Sequence, residues 1–98
     1  MKKIIVTGAS KGIGYSTALK LAEDGNQVFA IARSEKNLKL LASKASNGKI
    51  IPIAADLTLD DGIEKINLTL SKIDSIDALI NNAGALINKT FLDTTIDD

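Results

Sequence analysis

A glycine-rich segment near the amino terminus has the clearest chemical potential in this sequence. It runs Thr7-Gly8-Ala9-Ser10-Lys11-Gly12-Ile13-Gly14, between an apolar run and a stretch with helical periodicity. Gly8 permits a tight turn, Gly12 a close approach to a pyrophosphate, and Gly14 close packing of the helix on the sheet. Backbone N–H groups and the positive end of the helix dipole would then face an anion. The loop residues predicted to bind a phosphate-bearing cofactor are Gly8, Ser10, Lys11, Gly12, Ile13 and Gly14.

This loop differs from the P-loop of nucleoside-triphosphate enzymes. The Gly-Lys-Ser/Thr ending of that motif is missing, and Lys11 precedes its glycine. A glycine-rich turn with no ligand is the remaining alternative. The position of the loop between a strand and a helix favours nucleotide binding over that alternative.

The end of the second apolar run indicates which dinucleotide the loop would bind. Folds that select NAD usually carry an acid there to bond the ribose 2′-hydroxyl. This chain has Ala32-Arg33-Ser34 instead. The Arg33 guanidinium can bind a 2′-phosphate through paired, charge-assisted hydrogen bonds, and Lys11 and the Ser34 hydroxyl can add to it. NADP is therefore predicted over NAD; the alternative is that Arg33 and Lys11 are solvated surface charges.

The elements that must position these residues follow a regular rhythm along the chain. Four short apolar runs, at residues 4–6, 28–32, 50–55 and 76–80, alternate with stretches of helical periodicity. Ser34 is predicted to cap the second helix, and the third helix to begin at about Asp60. The apolar positions expected to face the sheet are Gly14, Ala18, Leu21, Ala22, Leu38, Leu41, Ala42, Ala45, Ile63, Ile66, Leu70 and Ile73.

This rhythm predicts an α/β fold, a Rossmann-like doubly wound parallel sheet in one domain spanning residues 1–98. Pro52 lies within the third apolar run and lacks an N–H group, so that strand is expected at a sheet edge. The dinucleotide-binding strand order 3-2-1-4 puts the third strand at an edge as well. The two lines of reasoning agree.

Composition excludes several classes of partner and chemistry. Twelve basic residues balance twelve acidic ones, so neither nucleic acid nor an acidic membrane is expected as a partner. The sequence has no cysteine and no histidine, and no metal site is expected. The longest apolar stretch, Ile50 to Ala55, is too short to span a bilayer, and no signal-peptide core is present. A cytoplasmic protein is therefore expected.

Two sequence motifs together resemble the classical short-chain dehydrogenase/reductase family. They are TGASKGIG at residues 7–14 and NNAG at residues 81–84, and IARSE at residues 31–35 is placed as in the members that prefer NADP. The resemblance extends over essentially the whole chain, from Lys3 onward. It implies an oxidoreductase that interconverts a carbonyl and a secondary alcohol.

The resemblance also implies contacts for the remaining residues of the predicted site. The Asp56 side chain would meet the adenine amino group, and Leu57 would pack beside the ring. The Asn81 backbone would lie near the adenosine ribose, the Asn82 side chain would brace neighbouring strands, and Ala83-Gly84 would leave room for the cofactor. From position alone, Asp56 follows a parallel strand, where ligands bind in such sheets, and the alternative is an ordinary helix-cap or turn carboxylate.

The family's catalytic residues have no counterpart in these 98 residues. The resemblance implies a Tyr as general acid/base, a Lys four residues later and a Ser that orients the carbonyl. Tyr15 is the only tyrosine, and the residue four positions later is Leu19. Tyr15 is therefore predicted to be a packing or surface aromatic. No catalytic residue is assigned, and the chain is expected to be truncated relative to the family and inactive alone.

Three hypotheses follow for function. The first is an NADP(H)-dependent oxidoreductase whose full-length form takes a small carbonyl or alcohol substrate, with a homo-oligomeric assembly expected. The second is a non-catalytic module that binds NADP or a partner. The third is another Rossmann-like enzyme, such as an isomerase or epimerase, which the glycine spacing and NNAG disfavour. Leu79 and Ile80 are expected on an uncovered edge, so the isolated chain is predicted to associate.

Overall fold

Strands and helices alternate along the chain in this computed structural model, which describes residues 2–45, 49–56, 58–73 and 75–82. Each apolar run of the sequence forms a strand, and each stretch of helical periodicity between two runs forms a helix. The elements are β1 (Lys3–Thr7), α1 (Gly12–Glu23), β2 (Gln27–Ala32), α2 (Glu35–Lys44), β3 (Lys49–Ala54), α3 (Asp60–Leu70) and β4 (Ala78–Asn81). Within the described ranges, none of the helices has the length and apolar character needed to cross a membrane.

The four strands form one parallel sheet in the order β3-β2-β1-β4, which confirms the predicted fold class and strand order. Ile5 of β1 pairs with Phe29 of β2 on one side and with Leu79 of β4 on the other. Because β1 and β2 are central and covered on both faces, their apolar runs are continuous rather than alternating.

Two hydrophobic clusters lie on opposite faces of the sheet. Ile4 and Val6 pack in one cluster with residues of α1 and α2, whereas Ile5 packs in the other with residues of α3. Successive strand residues point to opposite faces, so the helices cover both sides of the sheet. This is the doubly wound arrangement predicted from the sequence.

The helix faces are buried largely as predicted. The predicted positions that are fully or almost fully buried are Gly14, Ala18, Ala22, Leu38, Leu41, Ile66 and Leu70. The predicted positions that pack at the margins and are only partly buried are Leu21, Ala42, Ala45, Ile63 and Ile73. The predicted apolar face of each helix thus points toward the sheet, but it is somewhat wider than the part of the helix that becomes fully buried.

The open side of β3 is blocked at two positions. Lys49 and Ala55 donate their N–H groups toward β2, at 3.3 and 2.9 Å, so the residues between them with even numbers direct their backbone groups away from the sheet. Pro52 therefore has its nitrogen on the open side, where a donor would otherwise be exposed. The Ala54 carbonyl faces the same side and accepts a hydrogen bond from the Lys65 ammonium.

Candidate nucleotide-binding site

A cleft of about 530 Å³ opens where the strands end at their carboxyl termini. It lies beside the loop that joins β1 to α1, and Asn82, directly after β4, forms part of its wall. The strand order reverses at this point, because α1 leads from β1 to β2 on one side and α3 leads from β3 back to β4 on the other, and such switch points are where ligands bind. The lining residues are Gly8, Ser10, Lys11, Ile13, Gly14, Ile31, Ala32, Arg33, Ala55, Asp56, Thr58 and Asn82.

Three glycines shape the loop, each in a different way. Gly8 and Gly12 have φ angles of 64° and 63°, a left-handed conformation that glycine adopts without strain. A Cβ on Gly12 would meet no atom within 4 Å, so the loop is open at that position. A Cβ on Gly14 would collide with the Gly8 carbonyl oxygen. The close helix packing predicted for Gly14 is thus against the Gly8 backbone, directly after β1.

The first turn of α1 has backbone donors without a side-chain cap. Lys11 is the N-cap residue, its side chain makes no capping hydrogen bond, and the first turn has no acid. Tyr15 donates its N–H to the Lys11 carbonyl at 3.4 Å, so Gly12, Ile13 and Gly14 precede the first intrahelical donor. Ile13 and Gly14 line the cleft. This end of α1 therefore suits an anion.

Two cationic side chains line the same cleft. Lys11 comes from the glycine loop and Arg33 from the end of β2, and both are exposed. Ser34 is not among the lining residues; its Oγ accepts the Asn37 N–H at 3.2 Å and caps α2. The capping role predicted for Ser34 is confirmed. Its hydroxyl proton is a donor that this cap does not use.

Asp56 is both a turn carboxylate and a residue of the cleft wall. Its Oδ1 accepts hydrogen bonds from the Thr58 N–H at 2.9 Å and from the Thr58 hydroxyl at 2.6 Å. These bonds, the hydroxyl bond above all, hold the pKa of Asp56 below its usual value, and the charge of Arg33 lowers it further. Asp56 is therefore an ionised acceptor at neutral pH. Leu57, predicted to pack beside an adenine ring, lies outside the described residues.

The ends of β1 and β4 are joined through a buried threonine. The Thr7 hydroxyl donates to the Asn81 side-chain oxygen at 2.7 Å and accepts the Asn82 N–H at 3.1 Å. In this pair of bonds the bracing side chain is Asn81, a role that the family resemblance gave to Asn82. Asn82 contributes its backbone here and lines the cleft. Ala83 and Gly84 lie outside the described residues.

Tyr15 has the packing role predicted for it. Its ring is partly buried against the cluster between α1, α2 and the sheet, and the Lys44 ammonium lies 5.4 Å from the ring centroid. Its hydroxyl oxygen is buried and has no hydrogen-bond partner among the described residues. An aromatic ring with a cation over its face fits a structural contact between the two helices.

Sequence reasoning did not assign a role to Thr7 or Thr58, and it did not include the apolar walls Ile31, Ala32 and Ala55. Thr58 carried a signal, because an Asp followed two residues later by Thr is a common pattern for a side chain that bonds the turn backbone. The apolar wall residues gave no such signal, because apolar residues at the end of a strand are of the same types whether they line a cleft or a core.

The parallel strand order, the glycine turn into α1 and the cleft at the carboxyl ends define a dinucleotide-binding type of α/β fold. The sequence model of the short chain dehydrogenase family matches residues 2–98. The chain belongs to that family, and the resemblance seen in its motifs is confirmed.

Several other proteins match this chain over part of their own length. An L-xylulose reductase from Caenorhabditis elegans is 40% identical over 89 residues, which cover 89% of this chain and 35% of that protein. An uncharacterized oxidoreductase from Listeria innocua is 41% identical over 90 residues, covering 89% and 36%. A solved short-chain dehydrogenase from Sphingobium yanoikuyae, in complex with NADPH, has a TM-score of 0.77 and 32% identity, covering 86% and 34%. The chain thus spans about a third of the length of these relatives.

Proposed function

We propose that this chain binds NADP(H) in the cleft and supplies the cofactor-binding part of an oxidoreductase that interconverts a carbonyl and a secondary alcohol. The observation that carries the proposal is the meeting of the uncapped first turn of α1 with two cations, Lys11 and Arg33, in one cleft. A ligand with a pyrophosphate and a further phosphate suits that charge distribution. The NADPH bound to the solved Sphingobium relative supports the same choice.

The proposed arrangement follows the chemistry of the cleft walls. The pyrophosphate takes the N–H groups at the start of α1, because they are donors without intrahelical partners. The 2′-phosphate lies between Arg33 and Lys11, where an acid would repel it. The adenine lies toward Asp56. The residues proposed to contact the cofactor are Gly8, Ser10, Lys11, Gly12, Ile13, Gly14, Arg33, Ser34, Asp56, Leu57, Asn81, Ala83 and Gly84.

The nicotinamide supplies the hydride chemistry when the cofactor is bound. The residues of this chain bind and orient it, and none of them is proposed to move the proton of the reaction. A non-catalytic module would use the same cleft and show binding without turnover. Turnover of small carbonyl compounds by the protein as its gene encodes it therefore distinguishes the two functions.

The test of the cofactor assignment is the substitution Arg33→Asp. It replaces the proposed 2′-phosphate ligand by a group that repels a phosphate and accepts from a 2′-hydroxyl. NADP affinity should fall by roughly 10- to 100-fold, as expected for loss of charge-assisted hydrogen bonds, while NAD affinity should hold or rise. Calorimetry or quenching of reduced-cofactor fluorescence gives both values.

Lys72→Asp is the matched control, because Lys72 is exposed beyond α3, lies outside the cleft and undergoes the same change of charge. It should leave the NADP-to-NAD ratio unchanged. Equal losses for the two cofactors in Arg33→Asp would contradict the 2′-phosphate assignment. A fall in the NADP-to-NAD affinity ratio in Lys72→Asp would show that net charge, rather than the position of the charge, decides the cofactor preference.

A further inference from the structure

The hydrogen bonds between Asp56 and Thr58 all reach one carboxylate oxygen. The Thr58 hydroxyl and the Thr58 N–H both donate to Oδ1 of Asp56, at 2.6 and 2.9 Å. Neither of these two bonds engages Oδ2. In an ionised carboxylate Oδ2 is an acceptor as well, so it can bond a ligand. Asp56 and Thr58 both line the cleft, so this arrangement belongs to the binding surface.

Two donors on one oxygen restrict the carboxylate more than either donor alone. The backbone N–H fixes where Oδ1 lies relative to the turn before α3, and the short hydroxyl bond limits rotation of the carboxylate plane. The same bonds favour the ionised form and thereby hold the pKa of Asp56 below its usual value. The result is an acceptor that is charged and oriented before any ligand arrives, which lowers the entropy cost of binding.

We propose that Thr58 is a positioning residue for adenine recognition, in that its hydroxyl and N–H hold the Asp56 carboxylate so that Oδ2 accepts from the exocyclic amino group of the base. This inference rests on the proposed function and deepens it. A carboxylate has no donor at neutral pH, so it favours a base that presents an amino group and disfavours one that presents a carbonyl at that position. Thr58 therefore contributes to the choice of base without touching it.

The experiment uses two cofactors that differ only at that position. NADP carries adenine, and its analogue carries unsubstituted purine, in which a hydrogen replaces the amino group. The wild-type protein, as its gene encodes it, should bind NADP roughly tenfold more tightly than the analogue. Thr58→Val keeps the branched shape and the N–H but removes the hydroxyl; it should weaken NADP binding by roughly three- to tenfold and leave binding of the analogue unchanged.

Thr58→Ser is the matched rescue, because it restores a hydroxyl in the same place. Its NADP affinity should return to within about twofold of the wild type. The pKa of Asp56, followed by NMR of its carboxyl carbon, should rise toward its ordinary value in Thr58→Val and fall again in Thr58→Ser. A purely structural role would lower the thermal midpoint and weaken both cofactors alike.

The possible outcomes separate this inference from the proposed function. Equal weakening of NADP and the analogue in Thr58→Val, or no rescue by serine, overturns the role of Thr58. Equal wild-type affinity for both cofactors also overturns it, while NADP binding and the proposed function stand. A wild-type protein that binds neither cofactor overturns the proposed function together with this inference.

Discussion

The helices α1 and α2 lie on the same face of the sheet and each follows a strand, yet their amino termini are built differently. At α2, the Ser34 hydroxyl oxygen caps the Asn37 N–H, and Glu35 puts a negative charge in the first turn. Glu35 is paired with Lys39 at 2.8 Å, and hydrogen bonding to Lys39 lowers the pKa of Glu35. At α1, Lys11 provides no cap and the first turn has no acid.

The difference indicates which helix end is complete without a ligand. The donors and the dipole of α2 are met by its own side chains, so an external anion would gain little there. The donors of α1 face a cleft that two cations line, and glycine keeps side chains out of the way. The candidate binding site at α1 thus depends on the absence of an N-terminal side-chain cap, not on an additional structural element.

The strongest test of the open loop at α1 is Gly14→Ala. The new Cβ would meet the Gly8 carbonyl, a backbone atom that no side-chain rotation can move away. We expect the free energy of unfolding to fall by about 3 kcal/mol or more. Urea denaturation followed by circular dichroism measures it.

Gly12→Ala is the matched control for this prediction. Its Cβ would have open space, and its positive φ angle should cost only about 1–2 kcal/mol. Cofactor binding should nevertheless be lost in Gly12→Ala, because the open space is where the cofactor is proposed to lie. Equal destabilisation by the two substitutions would contradict the close approach of Gly14 to Gly8.

A smaller effect is expected from removing the cap of α2. Ser34→Ala leaves the Asn37 N–H without its acceptor and should lower the free energy of unfolding by about 1 kcal/mol. Ser34→Thr keeps the hydroxyl and should stay within a few tenths of a kcal/mol of the wild type. Thermal unfolding without cofactor measures both. Wild-type stability in Ser34→Ala would show that the cap makes no contribution.

The smallest effect is expected from giving α1 the cap that it lacks. Lys11 has an extended backbone at the N-cap position, which suits a serine. Lys11→Ser should raise the stability of the empty protein by up to about 1 kcal/mol and weaken NADP binding, because the cap occupies a donor and a cation is lost. Lys11→Ala loses the cation without gaining a cap. Equal stability of Lys11→Ser and Lys11→Ala would contradict the conclusion that the amino terminus of α1 lacks a stabilising cap.

The strand order and the direction of each helix face were predictable because local signals agreed with the global fold. Pro52 and the glycine loop independently pointed to the arrangement observed. The partial exposure of Leu21 and Ala42 was not predictable, since periodicity gives the direction of a helix face but not how far neighbouring elements cover it.

The cleft was predictable where a residue type is itself unusual, as with Arg33 in the place of an acid. Thr7 and Thr58 were missed because their roles depend on partners. Thr7 meets Asn81 only through the pairing of β1 with β4, a contact between residues far apart in the chain. Threonine is common at the ends of buried strands, so its type alone gave no reason to place it opposite an asparagine.

The blocked side of β3 has a consequence for how molecules of this kind could add to one another. In the language of polymer growth, Pro52 and the Lys65 bond to Ala54 terminate the sheet at one end. Lateral addition of a strand from another molecule is thereby disfavoured at the β3 edge. Edge-to-edge growth of sheets from one molecule to the next would therefore stop at this edge.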